Sequence, residues 1–529
     1  MFRVWGSRAF VCDTSVDKLS SRAIPRVFLG FPNDAPGWQI YHPTSRRVLS
    51  SQDVTFDEQK ELECLAAAVP HLLAMLLAPE GDPDAPDIPT PHSYAKAITV
   101  DGMWIFRVKR PPSSLPVFKA RFVARGFSQQ QGVHFFLTFS LTPKMTTLRV
   151  LLHVAAQRDY KLHSLDFGTA FLQGSLQEEI WLRRPPGFTG SFSVGTLWSL
   201  RRPVYGIRHA SREWHDTLRT MLAALGFAPS SADPTLFLCI DTSLPPFYVL
   251  VYVNDLVFAT VDTEAQALVK SELQKRHTCT DLGELRSYLG LQITRDRARR
   301  TITLTQSHMV HQVIQRFGFR YSSPLSTPLP TGNLLSVPPS DESEEPSGPY
   351  QELVGCLMYL MTCTRHDLAY PLSILARYVA PGRHQPEHWE AAKRVLRCLC
   401  STSSMGLVLE GRGLVVLIGH ADASWELRWL TYLLTDLGER PRSSPVLFID
   451  NKAMIALCQE HRLEHRTKII ALRYFLAREL QQRGQLRLAY VATRANTADI
   501  FTKAFQPGDH QRFCTVLGLV PTFPHLLTA

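Results

Sequence analysis

Residues 247–258 read FYVLVYVNDLVF, and this stretch decides the fold. Aromatic and β-branched residues flank one adjacent pair, Asn254 and Asp255, which predicts two buried strands that meet at a tight turn. Such a turn would carry a carboxylate to the tip of a hairpin. The local sequence leaves two interpretations open, because Asn-Asp pairs also occur in hairpin turns that have only a structural role.

The composition predicts a protein with several hydrophobic cores. The chain has 529 residues, 45% of them hydrophobic, which suggests three or four domains. Its net charge of +10 suits a polyanionic partner such as nucleic acid, although a basic balance also serves solubility. The ten cysteines lack the spacing of zinc or redox motifs, so we expect reduced intracellular thiols.

The sequence shows no signal for secretion or membrane insertion. The first residues do not combine a basic region with an apolar core, and the most apolar stretch, Leu65–Pro79, is short and contains Pro70 and His71. We therefore expect an intracellular protein, in a cytoplasmic particle or the nucleus, without a membrane partner.

Composition and periodicity divide the chain into six segments. Short strands in 1–57 predict a small β-barrel-like module, and 58–93 combines a helix with a Pro- and Asp-rich linker. The remaining segments are a mixed α/β region at 94–330, a linker at 331–349, helices at 350–405 and a second alternating region at 406–529. Within them we predict helices at Thr147–Gln157, Arg212–Leu225, Tyr350–Arg377 and His388–Leu399, and strands at Lys161–Asp166, Tyr248–Val253, Leu414–Ile418, Val446–Ile449 and Gln485–Val491.

A second carboxylate has a setting like that of Asp255. Asp166 ends a predicted buried strand and is followed by FGTAFL. Two carboxylates brought together from strand ends could hold two Mg²⁺ ions for phosphoryl transfer. Asp166 could equally cap the next helix, and the local sequence does not decide between the two roles.

Four collinear motifs resemble those of copia-type LTR-retrotransposon reverse transcriptases: KARFVARGF at 119–127, LDFGTAFL at 165–172, VYGIR at 204–208 and YVND at 252–255. DLGEL at 281–285 and YLG at 288–290 follow in the same order. FRVWG at 2–6 to FD at 56–57 resembles the β module that follows the integrase core in such polyproteins. GHADASW at 419–425, FIDNK at 448–452 and ADIFTK at 498–503 resemble the RNase H domain.

This resemblance implies an α+β fold, a right-hand polymerase with fingers and palm at 94–330. A small β-barrel-like module (1–57) would precede it, and connection helices (350–405) and a truncated RNase H-like α/β domain (406–529) would follow. The chain would derive from a copia-type Pol polyprotein as a degenerate copy.

The resemblance assigns a role to each residue that matches a position in the family's motifs. Asp166 and Asp255 would bind the catalytic metals, and Asn254 stands where the family has the first Asp of its Tyr-x-Asp-Asp hairpin. An amide oxygen is a neutral and weaker ligand, so we expect an impaired site. Lys119 and Arg121 would grip the triphosphate of the incoming nucleotide, unless they belong only to a solvated strand face.

Three further residues would complete the nucleotide site. Phe171 stands where an aromatic ring excludes a ribose 2′-OH, although it could also be a core residue. Tyr205 and Gly206 would lie beneath the template-primer base pair, where a small residue allows close backbone approach.

The RNase H-like segment retains Asp422, Asp450 and Asp499. The resemblance predicts further strands and a catalytic Glu between Trp425 and Glu426, and the chain lacks them. Glu426 matches a later position of the same helix and should face elsewhere. We therefore expect RNase H activity to be lost.

The resulting functional hypothesis is an RNA-directed DNA polymerase that works by two-metal nucleotidyl transfer. The expected cofactor is Mg²⁺ (or Mn²⁺), and the expected partners are an RNA template, a DNA primer, their RNA–DNA hybrid and deoxynucleoside triphosphates. The alternative is a non-catalytic retroelement remnant that at most binds nucleic acid.

Overall fold

A computed structural model gives the fold. It describes strands within residues 8–57 and at 102–109 and 117–124, and then residues 142–522, apart from 177–180, 184–196, 320–321, 333–348, 381–383, 414, 421–423 and 460–470. The chain forms two compact units, one of residues 1–80 and 461–474 and one of residues 81–460 and 475–529. The predicted helix and linker at 58–93 lie outside the described residues.

The first unit contains an antiparallel five-stranded sheet with strand order β4-β3-β2-β1-β5. Its strands are β1 (Arg8–Cys12), β2 (Ala23–Gly30), β3 (Trp38–His42), β4 (Arg47–Ser51) and β5 (Val54–Asp57). The sequence predicts short strands in this region, and the described strands are four to eight residues long.

The second unit contains a six-stranded antiparallel sheet, ordered β11-β12-β13-β14-β8-β15, that carries the candidate site. Its strands are β8 (Lys161–Phe167), β11 (Phe227–Pro229), β12 (Leu236–Cys239), β13 (Phe247–Tyr252), β14 (Asp255–Thr260) and β15 (Cys279–Glu284). Two hairpins pair β6 (Gly102–Lys109) with β7 (Val117–Ala124) and β9 (Trp181–Arg183) with β10 (Leu197–Ser199).

Helices connect and cover these strands. In chain order they are α1 (Met145–Arg158), α2 (Ala170–Gln173), α3 (Ala210–Ala224), α4 (Thr263–Arg276), α5 (Ser307–Arg316), α6 (Tyr350–Cys363), α7 (Ala369–Leu375), α8 (Pro386–Ser401), α9 (Ser424–Asp436), α10 (Lys452–Gln459), α11 (Ala471–Gln482) and α12 (Pro507–Val516). The predicted helix at Tyr350–Arg377 is interrupted, because a 3₁₀ turn at His366–Leu368 separates α6 from α7.

One face of the six-stranded sheet packs against α3. Trp214, Leu218 and Leu222 recur at helical spacing, are buried, and join a core cluster with Phe167 and Phe258 of the sheet. Burying each side chain of this size contributes roughly 1.5–3 kcal/mol, so this face of α3 fixes the sheet from which the candidate site projects.

A second antiparallel sheet, ordered β16-β17-β18-β19-β23, joins distant parts of the chain. Its strands are β16 (Ser287–Tyr288), β17 (Leu291–Asp296), β18 (Thr301–Thr305), β19 (Met405–Glu410) and β23 (Leu519–Pro521). Helix α1 contacts this sheet through β18 and β19, and it contacts the six-stranded sheet through β14. This one sheet therefore joins strands from segments that we predicted to be separated by boundaries at 330 and 405.

The segment 406–529 also forms a three-stranded parallel sheet of β20 (Ile418–His420), β21 (Val446–Ile449) and β22 (Arg487–Tyr490). The predicted strand at Leu414–Ile418 was placed too early, since the observed strand begins where the prediction ends. Parallel pairing with β21 sets this start, and it aligns Gly419 with Leu447.

Helix α9, which follows β20 after three residues, packs against the six-stranded sheet. The Trp429 indole N–H donates to the Ala232 carbonyl (2.7 Å), and Asp436 accepts from the Ser230 hydroxyl (2.6 Å). Just beyond the helix, Tyr248 O–H donates to the Leu437 carbonyl (2.8 Å). These bonds attach the C-terminal α/β region to the sheet with the candidate site.

Among the described residues, no helix is both long and apolar enough to cross a membrane.

Candidate active site

The hairpin of β13 and β14 lies at the centre of the six-stranded sheet, but its turn lies one residue earlier than predicted. Tyr252 pairs directly with Asp255, so the two turn residues are Val253 and Asn254. Asp255 is the first residue of β14 rather than part of the turn. Its position is therefore set by the strand register.

Helix α3 holds this turn in place. Val253 has a φ of +53°, a left-handed conformation that is costly for a β-branched residue. Its carbonyl accepts a hydrogen bond from the indole N–H of the fully buried Trp214 (2.6 Å). The backbone carbonyl of Asn254 accepts from Phe167 N–H (2.8 Å), which attaches the turn to the end of β8.

Asp166 and Asp255 are directly opposite each other on β8 and β14, and both are half-buried. Asp166 does not cap the helix that follows, because Thr169 occupies the N-cap of α2. Burial, together with the negative charge of Asp166, raises the pKa of Asp255 to about 6. This pair of like charges is a place where a cation would lower the electrostatic energy.

Asn254 occupies part of the space between these groups. Its Nδ2 donates to Oδ1 of Asp166 (2.8 Å), and an ionised carboxylate can only accept, so the amide nitrogen must face it. The bond partly satisfies Asp166 without any cation. The site formed by β8 and the hairpin thus combines two carboxylates and one amide, where the resemblance predicts three carboxylates.

A second group of predicted residues lies around Tyr205. The Phe171 ring packs against the Tyr205 ring with centroids 4.9 Å apart. Arg121, an exposed residue of β7, places its guanidinium 5.4 Å from the centroid of the Tyr205 ring. Phe171 is only half-buried, so it is not simply a core residue. Lys119 lies two positions before Arg121 on the same strand.

Gly206 allows β7 to approach this group. The Ala124 N–H donates to the Tyr205 carbonyl (2.7 Å), and Gly206 has a φ of +90°. A Cβ on Gly206 would lie 2.1 Å from the Ala124 carbonyl oxygen, far below any contact distance. The junction between β7 and the segment before α3 therefore requires glycine.

Sequence reasoning missed two residues that position the site. Trp214 was seen only as part of a helical pattern, and nothing local indicates that its N–H reaches the turn. Gln173 joins the loop after β8 to the start of β15, since its amide donates to the Gly168 carbonyl (2.6 Å) and accepts from Thr278 N–H (2.8 Å). Both act through contacts between residues far apart in sequence.

Two of the three RNase H-like aspartates lie among the described residues, in different surroundings. Asp450 follows β21 and is half-buried, whereas the buried Asp499 accepts a hydrogen bond from the Lys503 ammonium (2.8 Å). Asp422 lies outside the described residues, and Glu426 is exposed on α9. Within the part of the chain that the structure describes, no cluster of three metal-ligand groups contains Asp450 or Asp499.

One cluster of possible metal ligands does occur there, formed by Asp367, His510 and Cys514 with ligand atoms within 4.8 Å of one another. Both carboxylate oxygens of Asp367, however, accept hydrogen bonds from the buried Arg365 at 2.9 and 2.8 Å. Burial also raises the pKa of the Cys514 thiol. The cluster is explained as the surroundings of a buried ion pair rather than as a metal centre.

Comparison with known proteins identifies the family of this chain. A family model described as reverse transcriptase (RNA-dependent DNA polymerase) matches residues 89–331, and one described as a retroviral polymerase SH3-like domain matches residues 7–65. The putative transposon Ty5-1 protein of Saccharomyces cerevisiae is 31% identical over 260 residues, which are 49% of this chain and 83% of that protein. The chain belongs to the copia-type retrotransposon Pol polyproteins.

Other members of this family are longer than this chain. The Retrovirus-related Pol polyprotein from transposon RE2 of Arabidopsis thaliana is 31% identical over 81% of this chain, and the match covers 32% of that protein. The chain thus spans about a third of the length of this Pol polyprotein. Among solved structures, the foamy viral protease-reverse transcriptase in complex with double-stranded DNA has a TM-score of 0.32 and 11% identity over 74% of this chain and 67% of that chain, a likeness too low to carry an argument.

The requirement for glycine at 206 can be tested with a matched pair of variants. Gly206→Ala and Gly226→Ala both place alanine at a positive φ, but a Cβ on Gly226 meets nothing within 4 Å. We expect Gly226→Ala to cost about 1 kcal/mol, the penalty of the left-handed conformation alone. Gly206→Ala should lower the free energy of unfolding by at least about 2 kcal/mol more, because the backbone must move.

Denaturant unfolding followed by tryptophan fluorescence measures both costs. Equal costs for the two substitutions would show that the contact between Gly206 and Ala124 does not constrain the fold.

Proposed function

We propose that this chain is a retrotransposon-derived RNA-directed DNA polymerase whose activity is impaired. The supporting observation is the direct pairing of Asp166 with Asp255 at the hairpin turn, with Asn254 bonded to Asp166. In this proposal residues 94–330 are the fingers and palm, residues 350–405 the connection, residues 406–529 a truncated RNase H-like domain and residues 1–57 the small β module.

The donor set fits one divalent cation. Asp166 and Asp255 offer hard carboxylate oxygens of the kind that Mg²⁺ or Mn²⁺ prefers. A bound cation would offset the repulsion between these two carboxylates. When bound, such cations supply charge neutralisation for nucleotidyl transfer. The two carboxylates would hold the first cation, while Asn254 contributes no charge toward a second.

The group around Tyr205 would bind the nucleotide and the duplex. Arg121, together with Lys119, would neutralise triphosphate charge, and the Phe171 ring would exclude a ribose 2′-OH. Tyr205 and Gly206 would lie under the base pair of RNA template and DNA primer. Arg121 is exposed and thus available to an anion, which supports this assignment.

Asn254 is the expected cause of impairment. In place of a carboxylate, its amide donates to Asp166 and occupies an acceptor that a cation would otherwise use. A binding cation therefore shares Asp166 with this amide and gains no third negative charge. Because each 1.4 kcal/mol of lost transition-state stabilisation slows a reaction about tenfold, a loss of several kcal/mol would leave slow extension.

Restoration of the missing carboxylate tests this proposal. We expect Asn254→Asp to increase the rate of primer extension on an RNA template by about 100-fold or more with MgCl₂ or MnCl₂. The double variant Asp166→Asn/Asn254→Asp is the control and should be inactive, which excludes a contaminating polymerase. Extension by the unmodified protein at a rate near that of Asn254→Asp would refute the claim that this hairpin is impaired.

A non-catalytic remnant that at most binds nucleic acid is the second candidate. The same amide at position 254 and the incomplete RNase H-like segment favour it for present activity. It predicts that Asn254→Asp still fails to extend a primer although the protein binds an RNA–DNA hybrid. The extension assay therefore distinguishes the two candidates.

We further propose that RNase H activity is lost. Asp499 is paired with Lys503, and the segment that would carry the catalytic Glu is missing from the sequence. The expected outcome is no cleavage of the RNA strand of an RNA–DNA hybrid by the unmodified protein. Cleavage that disappears in the Asp450→Asn variant would prove this proposal wrong.

A further inference from the structure

A basic groove lies between helix α8 and the segment that follows helix α5. We define the basic groove by the side chains of Lys393, Arg394 and Arg397 on α8, with Glu390 at the same face and Ser323 on the opposite wall. Three cations and one anion give the lining a net charge of +2. The groove belongs to a different part of the chain from the paired aspartates.

The basic residues share one face of α8. Positions 390, 393, 394 and 397 follow the spacing i, i+3, i+4 and i+7, so their side chains project together. Ala392, Val395, Leu396 and Leu399 of the same helix are fully buried and form its inner face. A charged outer face of a helix is often only solvated, so the arrangement of these cations within the groove has to decide their role.

Hydrogen bonds orient the two arginines. Arg397 Nε donates to the Ser323 carbonyl (2.8 Å), and Arg394 Nη2 donates to the Thr327 hydroxyl (3.3 Å). Arg394 Nε is buried and has no hydrogen-bond partner. Each guanidinium has five N–H donors, so both keep donors available for a ligand while their orientation is fixed.

Lys393 has a different partner. Its ammonium pairs with Glu390 one turn earlier on α8 and lies over the Trp389 ring, 5.9 Å from the centroid. Its carboxylate partner neutralises much of its charge, so the two arginines supply most of the positive potential. Two oriented guanidinium groups suit a tetrahedral oxyanion, which accepts several hydrogen bonds at once.

We propose that the basic groove binds backbone phosphates of a nucleic acid. The guanidinium groups match phosphate geometry, and contacts of this kind carry no sequence preference. The basic groove would thus contact phosphates at a place separate from the paired aspartates. This binding does not require an active polymerase.

The salt dependence of binding tests this assignment. The double variant Arg394→Gln/Arg397→Gln should bind a labelled RNA–DNA hybrid of mixed sequence more weakly than the unmodified protein. The slope of log Kobs against log salt concentration should become shallower by about 2, since each lost phosphate contact removes about 0.9. Binding is measured without nucleotides, so a failed polymerase assay does not affect the result.

Arg299→Gln/Arg483→Gln is the matched control, because it removes the same charge at exposed positions whose side chains are 73% and 61% exposed. We expect it to leave the slope within about 0.5 of the unmodified value. An equal change in slope for the groove and control variants would contradict the proposal, because it would show a general effect of net charge.

Two further measurements keep the test decisive. If the double variant does not fold, Arg397→Gln alone replaces it, since the bond of Arg397 to the Ser323 carbonyl is exposed, and the expected change in slope is about 1. Arg394→Lys/Arg397→Lys retains the charge but loses the planar donors, so it should weaken binding with little change in slope. Full competition by millimolar inorganic phosphate at constant ionic strength would show a site for free phosphate and overturn the assignment to nucleic acid.

Discussion

The mutual repulsion of Asp166 and Asp255 is the constraint on which the rest of the structure depends. Antiparallel pairing places the two carboxylates opposite each other, and partial burial makes their charges costly, as the raised pKa of Asp255 shows. A protein holds such a pair together only if surrounding packing fixes both strands. Here the core of α3 supplies that packing, and Trp214 fixes the turn itself.

The Asn254 amide changes how that repulsion is relieved. A carboxylate at this position would add a third negative charge and make the hairpin dependent on cations. The amide instead donates to Asp166, a hydrogen bond that needs no cation. In our proposal, Asn254 replaces a cation-binding carboxylate with a group that bonds to Asp166. Separately, Trp429 and Asp436 attach α9 to the segment between β11 and β12 of the same sheet.

Much of the site could be predicted because it depends on local patterns. The apolar run at 247–258 predicted the hairpin, and the motifs around Asp166 predicted its partner strand. The turn was placed one residue late, because register is set by pairing with β12 and β8 rather than by turn composition. Trp214, the contact of Gly206 with Ala124 and the sheet that joins β18 to β19 were not predictable, because each depends on residues distant in the sequence.

The number and affinity of bound divalent cations test most directly whether Asn254 has removed a cation site. Mn²⁺ titration followed by electron paramagnetic resonance, with Asp166→Asn as the baseline, counts ions at the paired aspartates. The unmodified protein should bind one ion there, more tightly as the pH rises through about 6, where Asp255 loses the proton that competes with the cation. Asn254→Asp should bind a second ion, and two ions of similar affinity in the unmodified protein would contradict this explanation.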